Sequence, residues 1–126
     1  MTLLPYQYVV LRCVPRVDRE EFVNVGVVLY SQVADFLAVA HHVETARLLA
    51  FARDLDVESV IESLATLSAV CRGETGDGRP DLGPLGRRFG WLSAPRSTVI
   101  QPGPVHSGLT AAPASTLADL LTRLVR

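Results

Sequence analysis

Nine residues constrain this chain more than any others: Phe22 to Tyr30 reads FVNVGVVLY, apolar at almost every position and broken only by Asn24 and Gly26. Its β-branched residues suit a pleated, packed surface, so the stretch is a strand. A second such run, Tyr6 to Val14, precedes it. Between them, Pro15 to Glu21 holds a proline and five charged residues, the composition of an exposed connection. Side chains of a strand alternate between two faces. Val23, Val25, Val27 and Leu29 then form a uniformly apolar odd face, while Phe22, Asn24, Gly26, Val28 and Tyr30 form a mixed even one. We expect helices over the odd face and an even face left partly open.

Placing Val14 opposite Phe22 sets a register in which Arg12 faces Asn24, Val10 faces Gly26 and Tyr6 faces Tyr30. A third strand, Phe36 to His42, follows a short turn at Ser31 to Asp35. If Tyr30 pairs with Phe36, Gly26 lies beside Ala40 and Asn24 beside His42. Slippage by one residue turns an apolar face to water, so register is strongly set. Arg12, Asn24 and His42 thus form a polar row across three strands. The row has two readings: a solvated part of an antiparallel sheet, or one wall of a site. Gly26, in a strand interior, marks a bulge or a close approach of another group.

After His42 the period changes to that of helices. Leu48, Leu49, Ala52 and Leu55 predict a short helix from about Val43 to Arg53. Asp56 is suited to cap a longer one, whose stripe is Val57, Val60, Ile61, Leu64, Leu67 and Cys71, with Gly73 a natural terminator. Gly73 to Arg88 contains five glycines and two prolines and reads as a flexible loop. Its glycine spacing matches no phosphate-binding fingerprint, and it follows a helix where such motifs follow a strand. Residues 89–110 form a short strand region: Phe89, Trp91 and Leu92 are a short strand or an anchor, and Ser97 to Gln101 a strand broken by Pro102 and Pro104. Pro113 opens a final helix, about 113–126, with Leu117, Leu120, Leu121 and Leu124 on one side. The expected architecture is one α+β domain over 1–126, with strands in 6–42, helices in about 43–72, and the helices packed on one face of an antiparallel sheet of three or more strands.

A chain of 126 residues can bury a core without staples. Its net charge of −1 argues against a broad nucleic-acid footprint. All twelve cations are arginine, the mark of a coding bias, so arginine here is not evidence for planar, bidentate recognition. Cys13 and Cys71 lack a further Cys or His at metal spacing, so no metal site is expected. They read as buried thiols in a reducing compartment. No basic region followed by an apolar run opens the chain and no run is long enough to span a bilayer, so we expect a cytoplasmic protein without a membrane partner.

Arg96, Ser97, Thr98, Gln101, His106, Ser107 and Thr110, with Arg87 and Arg88, supply the cations and hydroxyls of an anion site. They equally supply strand ends and helix caps. The candidate anion or partner site is Arg12, Asn24, His42, Arg96, Ser97 and His106. No catalytic residue is assigned. His106 to Thr110 resembles one half of a phosphoesterase motif whose second half is missing, and no glycine-flanked serine elbow is present. No cofactor is expected.

The blocks YQYVVLRCVPRVDREEFVNVGVVLY and LSAPRSTVIQPGPVHSGLT resemble the bacterial family called domain of unknown function 3037, over essentially the whole chain. The resemblance implies no established activity and no catalytic residues. It implies a possible partner, since members are often encoded beside proteins resembling HipA-type serine/threonine kinases of toxin–antitoxin systems. The chain itself lacks the kinase glycine loop, paired lysine and catalytic aspartate motif. The expected function is a binding or regulatory module, a partner of a HipA-like kinase. The alternative is an enzyme or sensor for a phosphate-bearing small molecule or nucleic-acid end, using Arg12, Asn24, Arg96 and His106. Ligand and oligomeric state are not readable from the residues.

Overall fold

Strands β1 (Leu4–Cys13) and β2 (Val23–Ser31) pair antiparallel, joined through one 3-10 turn at Val17–Arg19. The computed structural model describes residues 2–76 and 78–126; Met1, and Asp77 inside the glycine-rich segment, lie outside the described residues. β3 (Phe36–His41) adds to β2, and two short strands, β4 (Ile100–Pro102) and β5 (His106–Thr110), share the far side of β1. All pairings are antiparallel. Helices α1 (Thr45–Phe51), α2 (Val57–Cys71), α3 (Leu85–Ser93) and α4 (Pro113–Leu124) complete an α+β fold.

The register is as expected at Arg12↔Asn24 and then departs from it. The next pair is Leu11↔Gly26, so Val25 is an extra residue, a β-bulge. Beyond it Val10 meets Val27 and Gln7 meets Tyr30, each one position from the expected partner. β3 is displaced likewise: Gly26 pairs with His41 and Tyr30 with Leu37, because Ser31 joins the ladder opposite Phe36 and the turn takes one residue fewer than expected. His42 does not pair with Asn24; its N–H donates to the Val25 carbonyl at 2.9 Å.

The bulge splits the expected odd face. Val23 and Val25 pack on α2 and α3 with Val9, Leu11, Cys13 and Ile100, and so does Val28. Val27 and Leu29 turn the other way, into a second core with Leu117, Leu120 and Val125. The helices therefore lie on both faces of the sheet, in place of the single covered face expected, with α4 alone over the second. A continuously apolar strand is what a sheet buried on both sides requires. Gly26 sits where the bulge crowds two residues onto one face. A Cβ there would stand 3.0 Å from the Ala40 carbonyl oxygen and 3.2 Å from Leu11 Cδ1. The close approach comes from the sheet itself.

α2 follows the sequence closely. The Asp56 carboxylate accepts from Ser59 N–H at 3.2 Å. At the other end Gly73, at φ 79°, lets its own N–H reach Val70 O and the Glu74 N–H reach Ala69 O, at 2.9 and 3.0 Å. α3 is the correction to the loop expected over residues 85–88; of the two expectations for Phe89, Trp91 and Leu92, a short strand or an anchor, Phe89 and Leu92 are an anchor in the core, carried on a helix. Leu85, Phe89 and Leu92 are spaced for one helical face, and Phe89 stacks on Tyr30 at 5.1 Å between ring centroids. That burial outweighs the poor helix propensity of Gly86 and Gly90, and Gly86 leaves room for the Tyr30 hydroxyl, 3.1 Å from where its Cβ would be. Among the described residues no helix is long and apolar enough to cross a membrane.

Val25 is 1% exposed at the bulge. Val25→Asp is expected to destabilise the fold by on the order of 3 kcal/mol or more, because it buries an unpaired charge. Urea unfolding monitored by circular dichroism measures it, and a loss below about 1 kcal/mol contradicts the packing described.

Candidate functional site

A polar row does cross three strands, but its members are Asn24, Arg12 and Gln101, since Arg12 registers against Asn24 on one side and Gln101 on the other. The Arg12 guanidinium lies 4.0 Å over the Phe22 ring and against Gly103, where a Cβ would stand 3.0 Å from Arg12 Cζ. Asn24 Nδ2 donates to Leu124 O at 3.0 Å, and Arg47 Nη1 donates to Val125 O at 2.8 Å. The last turn of a helix leaves carbonyls without partners and a partial negative charge. Asn24 and Arg47 answer both and seat the end of α4. Arg12 Nε and Asn24 Oδ1 are buried with no hydrogen-bond partner among the described residues.

The other candidates lie elsewhere. Arg96 reaches back over the Trp91 ring, 4.4 Å from its centroid, and donates to the Trp91 carbonyl. Its burial pulls the guanidinium pKa below its ordinary value. It borders a cleft of about 470 Å³ with Ser63, Thr66, Trp91 and Thr98, on the α2 side of the sheet. Arg12 and Asn24 are on the α4 side. Ser97 is exposed beside Arg96. His106 pairs with Tyr8 on β5 and stacks on its ring at 5.1 Å. Tyr8 lies four positions along β1 from Arg12, a run of about 13 Å. Of the six candidates, the structure pairs Arg12 with Asn24, holds His42 by its backbone against Val25 beside Asn24, and puts Arg96, Ser97 and His106 elsewhere.

The hydroxyls and loop cations close local structure. The Thr110 and Thr116 hydroxyls are 2.6 Å apart, and Ala112 N–H donates to Thr110 Oγ1, which fixes the entry to α4. Arg88 donates to Cys71 O at 2.8 Å and so closes the C-terminal end of α2. A cleft of about 610 Å³ lies between the β1–β2 turn and the α1–α2 loop. Its Arg19 is bridged to Glu21 at 2.6 Å, and its Arg16 to Asp18 at 2.8 Å. Such exposed pairs contribute little. Among the described residues no group of three or more His, Cys, Asp or Glu is placed to hold a metal ion.

Two surfaces were not anticipated from the sequence. One is an apolar corner at the β5 edge of the sheet. Leu109 is 64% and Val33 66% exposed, and Leu3 and Val105 stand open at the two opposite ends of the β1–β5 ladder. Leu109 faces Pro5 across β1 and β5. Beside them a hollow of about 320 Å³ is lined by Pro5, Gln7, Tyr30, Gln32, Val33 and Ser107. Exposed apolar residues scattered through a sequence carry no signal until pairing gathers them. The other surface is the free side of β3, beside a hollow of about 510 Å³ that it shares with α2. Ser68 lines that hollow, its hydroxyl buried without a partner among the described residues. Ala65 and Ser68, small residues three apart, were its only trace in the sequence.

Burial pushes both thiols up to about 11, against small opposing effects of Arg88 and Arg72 at Cys71. The unfolded chain therefore gives up these protons from about pH 9, where the folded chain keeps them until about pH 11. Stability is fully present below that window and is lost as pH rises through it. We expect a fall on the order of 2–5 kcal/mol across it, measured by urea melts from pH 8 to 11 and much reduced in the Cys13→Ala/Cys71→Ala variant. Asn24→Ala is expected to cost about 1 kcal/mol and to speed amide exchange in residues 117–125. Unchanged exchange there would take Asn24 out of the role of holding α4.

Over residues 8–125 the chain matches the family described as "Protein of unknown function (DUF3037)". No curated protein and no solved structure matches it significantly.

Proposed function

The chain belongs to the DUF3037 family, and from its own geometry we propose that it is a cytoplasmic binding module that regulates a partner protein. The observation that carries this reading is the open apolar corner where exposed Leu109 lies across from Pro5 and exposed Val33 borders the same hollow as Pro5. Gathered apolar surface bordered by polar groups, here Gln7, Gln32 and Ser107, is characteristic of protein–protein contact. The partner implied by the family resemblance is a HipA-like serine/threonine kinase. An enzyme or sensor for a phosphate-bearing molecule needs convergent donors. Arg12 and Arg96 lie on opposite faces of the sheet, and Arg96 donates to the protein's own backbone, which supports the binding reading over that alternative.

The test is affinity capture from the native host followed by mass spectrometry, with wild-type chain and Leu109→Glu side by side. Leu109 is exposed, so the substitution leaves the fold intact. We expect a HipA-like kinase to be retained by the wild type and its affinity to fall by about tenfold or more in the variant. Retention of the same kinase by both removes the apolar corner as the contact. Retention of a phosphate-bearing compound with no protein partner returns the enzyme or sensor reading.

A further inference from the structure

The two edges of the sheet are built differently. Along the β4–β5 edge, Pro102, Gly103 and Pro104 interrupt the backbone between short strands. This is how an edge is kept from pairing with another chain. The β3 edge reads FLAVAH, with no acidic residue, arginine or proline. Among the described residues its only sheet partner is β2.

The phase of the β2–β3 ladder says which groups are free. His42 N–H donates to Val25 O, and in an antiparallel pair such bonded positions alternate with non-bonded ones. By the observed register, Phe36, Ala38 and Ala40 turn their N–H and C=O groups to β2. Leu37, Val39 and His41 turn theirs outward. Beside Val39 N–H lies the Cys71 thiol, a weak acceptor. The row is short of partners, and only another extended backbone matches its spacing.

That row is self-complementary. A two-fold axis at Val39 sets Val39 against its own copy and Leu37 against His41 of the second copy, so every outward group meets an outward group. No like charges oppose each other, and the two His41 rings stay roughly 14 Å apart along the strand. On the adjoining helix, Ile61, Ala65 and Ser68 recur at helical spacing toward the same side, with Ile61 44% exposed and Ala65 open. The small side chains at Ala65 and Ser68 and the hollow of about 510 Å³ beside them leave room for the matching helix of a second copy to approach closely. We propose that the chain is a homodimer in which β3 pairs antiparallel with β3 of a second copy across a two-fold axis at Val39, joining the two sheets into one. The contact lies on the opposite edge of the sheet from Leu109, so it stands independently of the partner surface proposed above.

Sedimentation velocity and light scattering of the purified full chain test this over about 1–200 μM, a range that brackets micromolar affinity. The wild type is expected to be a dimer at the upper end. Val39→Pro removes an N–H that faces away from β2 and meets only the weakly accepting Cys71 thiol, so the sheet remains while the dimer weakens by about 100-fold or more. Ala65→Arg fills the hollow from an exposed helical position and has the same effect, and it decides the matter if the proline variant fails to fold. Leu109→Glu leaves the dimer intact. Amide exchange at Leu37, Val39 and His41 slows with concentration, while that at Phe36, Ala38 and Ala40 does not change. A wild-type chain that stays monomeric throughout, including one whose edge pairs with a different protein, overturns the proposal. So does a dimer that survives both Val39→Pro and Ala65→Arg.

Discussion

The bulge at Val25 is the constraint on which the rest of the molecule depends. A strand as apolar as β2 has two faces to bury, and a regular ladder would send Val23, Val25, Val27 and Leu29 to one of them. One extra residue between Asn24 and Gly26 divides that set. Val23 and Val25 stay under α2 and α3, while Val27 and Leu29 turn to α4. The crowding produced where two consecutive residues share a face is relieved by having no side chain at Gly26. The position of α4 over the second face thus follows from a local irregularity in the pairing of two other elements.

Most of the polar chemistry that resembles a site serves to finish helices. Asn24 and Arg47 hold the last carbonyls of α4, Arg88 the Cys71 carbonyl at the end of α2, and Arg96 the Trp91 carbonyl late in α3. Each places a donor or a cation where the helix dipole and unsatisfied carbonyls favour one. In a chain without lysine, arginine takes this task everywhere. Arg47, Arg88 and Arg96 are therefore already engaged with the protein's own backbone, while Arg12 rests on the Phe22 ring. What remains open is apolar and sits at the two margins of the sheet, one interrupted by prolines and the other a plain, uncharged strand.

This division explains how far the residues could be read. The row containing Arg12 and Asn24 was legible because both are close to the turn that sets their register. Its third member was not, since Gln101 reaches β1 from 89 residues away in sequence and nothing local distinguishes it from His42. Arg96 and His106 are close to each other in the chain but sit on different elements, and their separation from Arg12 depends on which face and which strand each joins. α3 was missed because Gly83, Gly86 and Gly90 mask a stripe of Leu85, Phe89 and Leu92 that becomes helical only against Tyr30.

The sequence by itself determined the elements whose causes are local: the three N-terminal strands from alternation and β-branching, α2 between Asp56 and Gly73, and α4 from Pro113. It also determined that Val25 is buried and that something must approach Gly26. Tertiary structure alone decided the bulge, the burial of both faces, and which strands stand at the edges. Those features depend on matching one segment to another across the chain, and an alternating pattern states that a strand has two faces without stating what covers either of them.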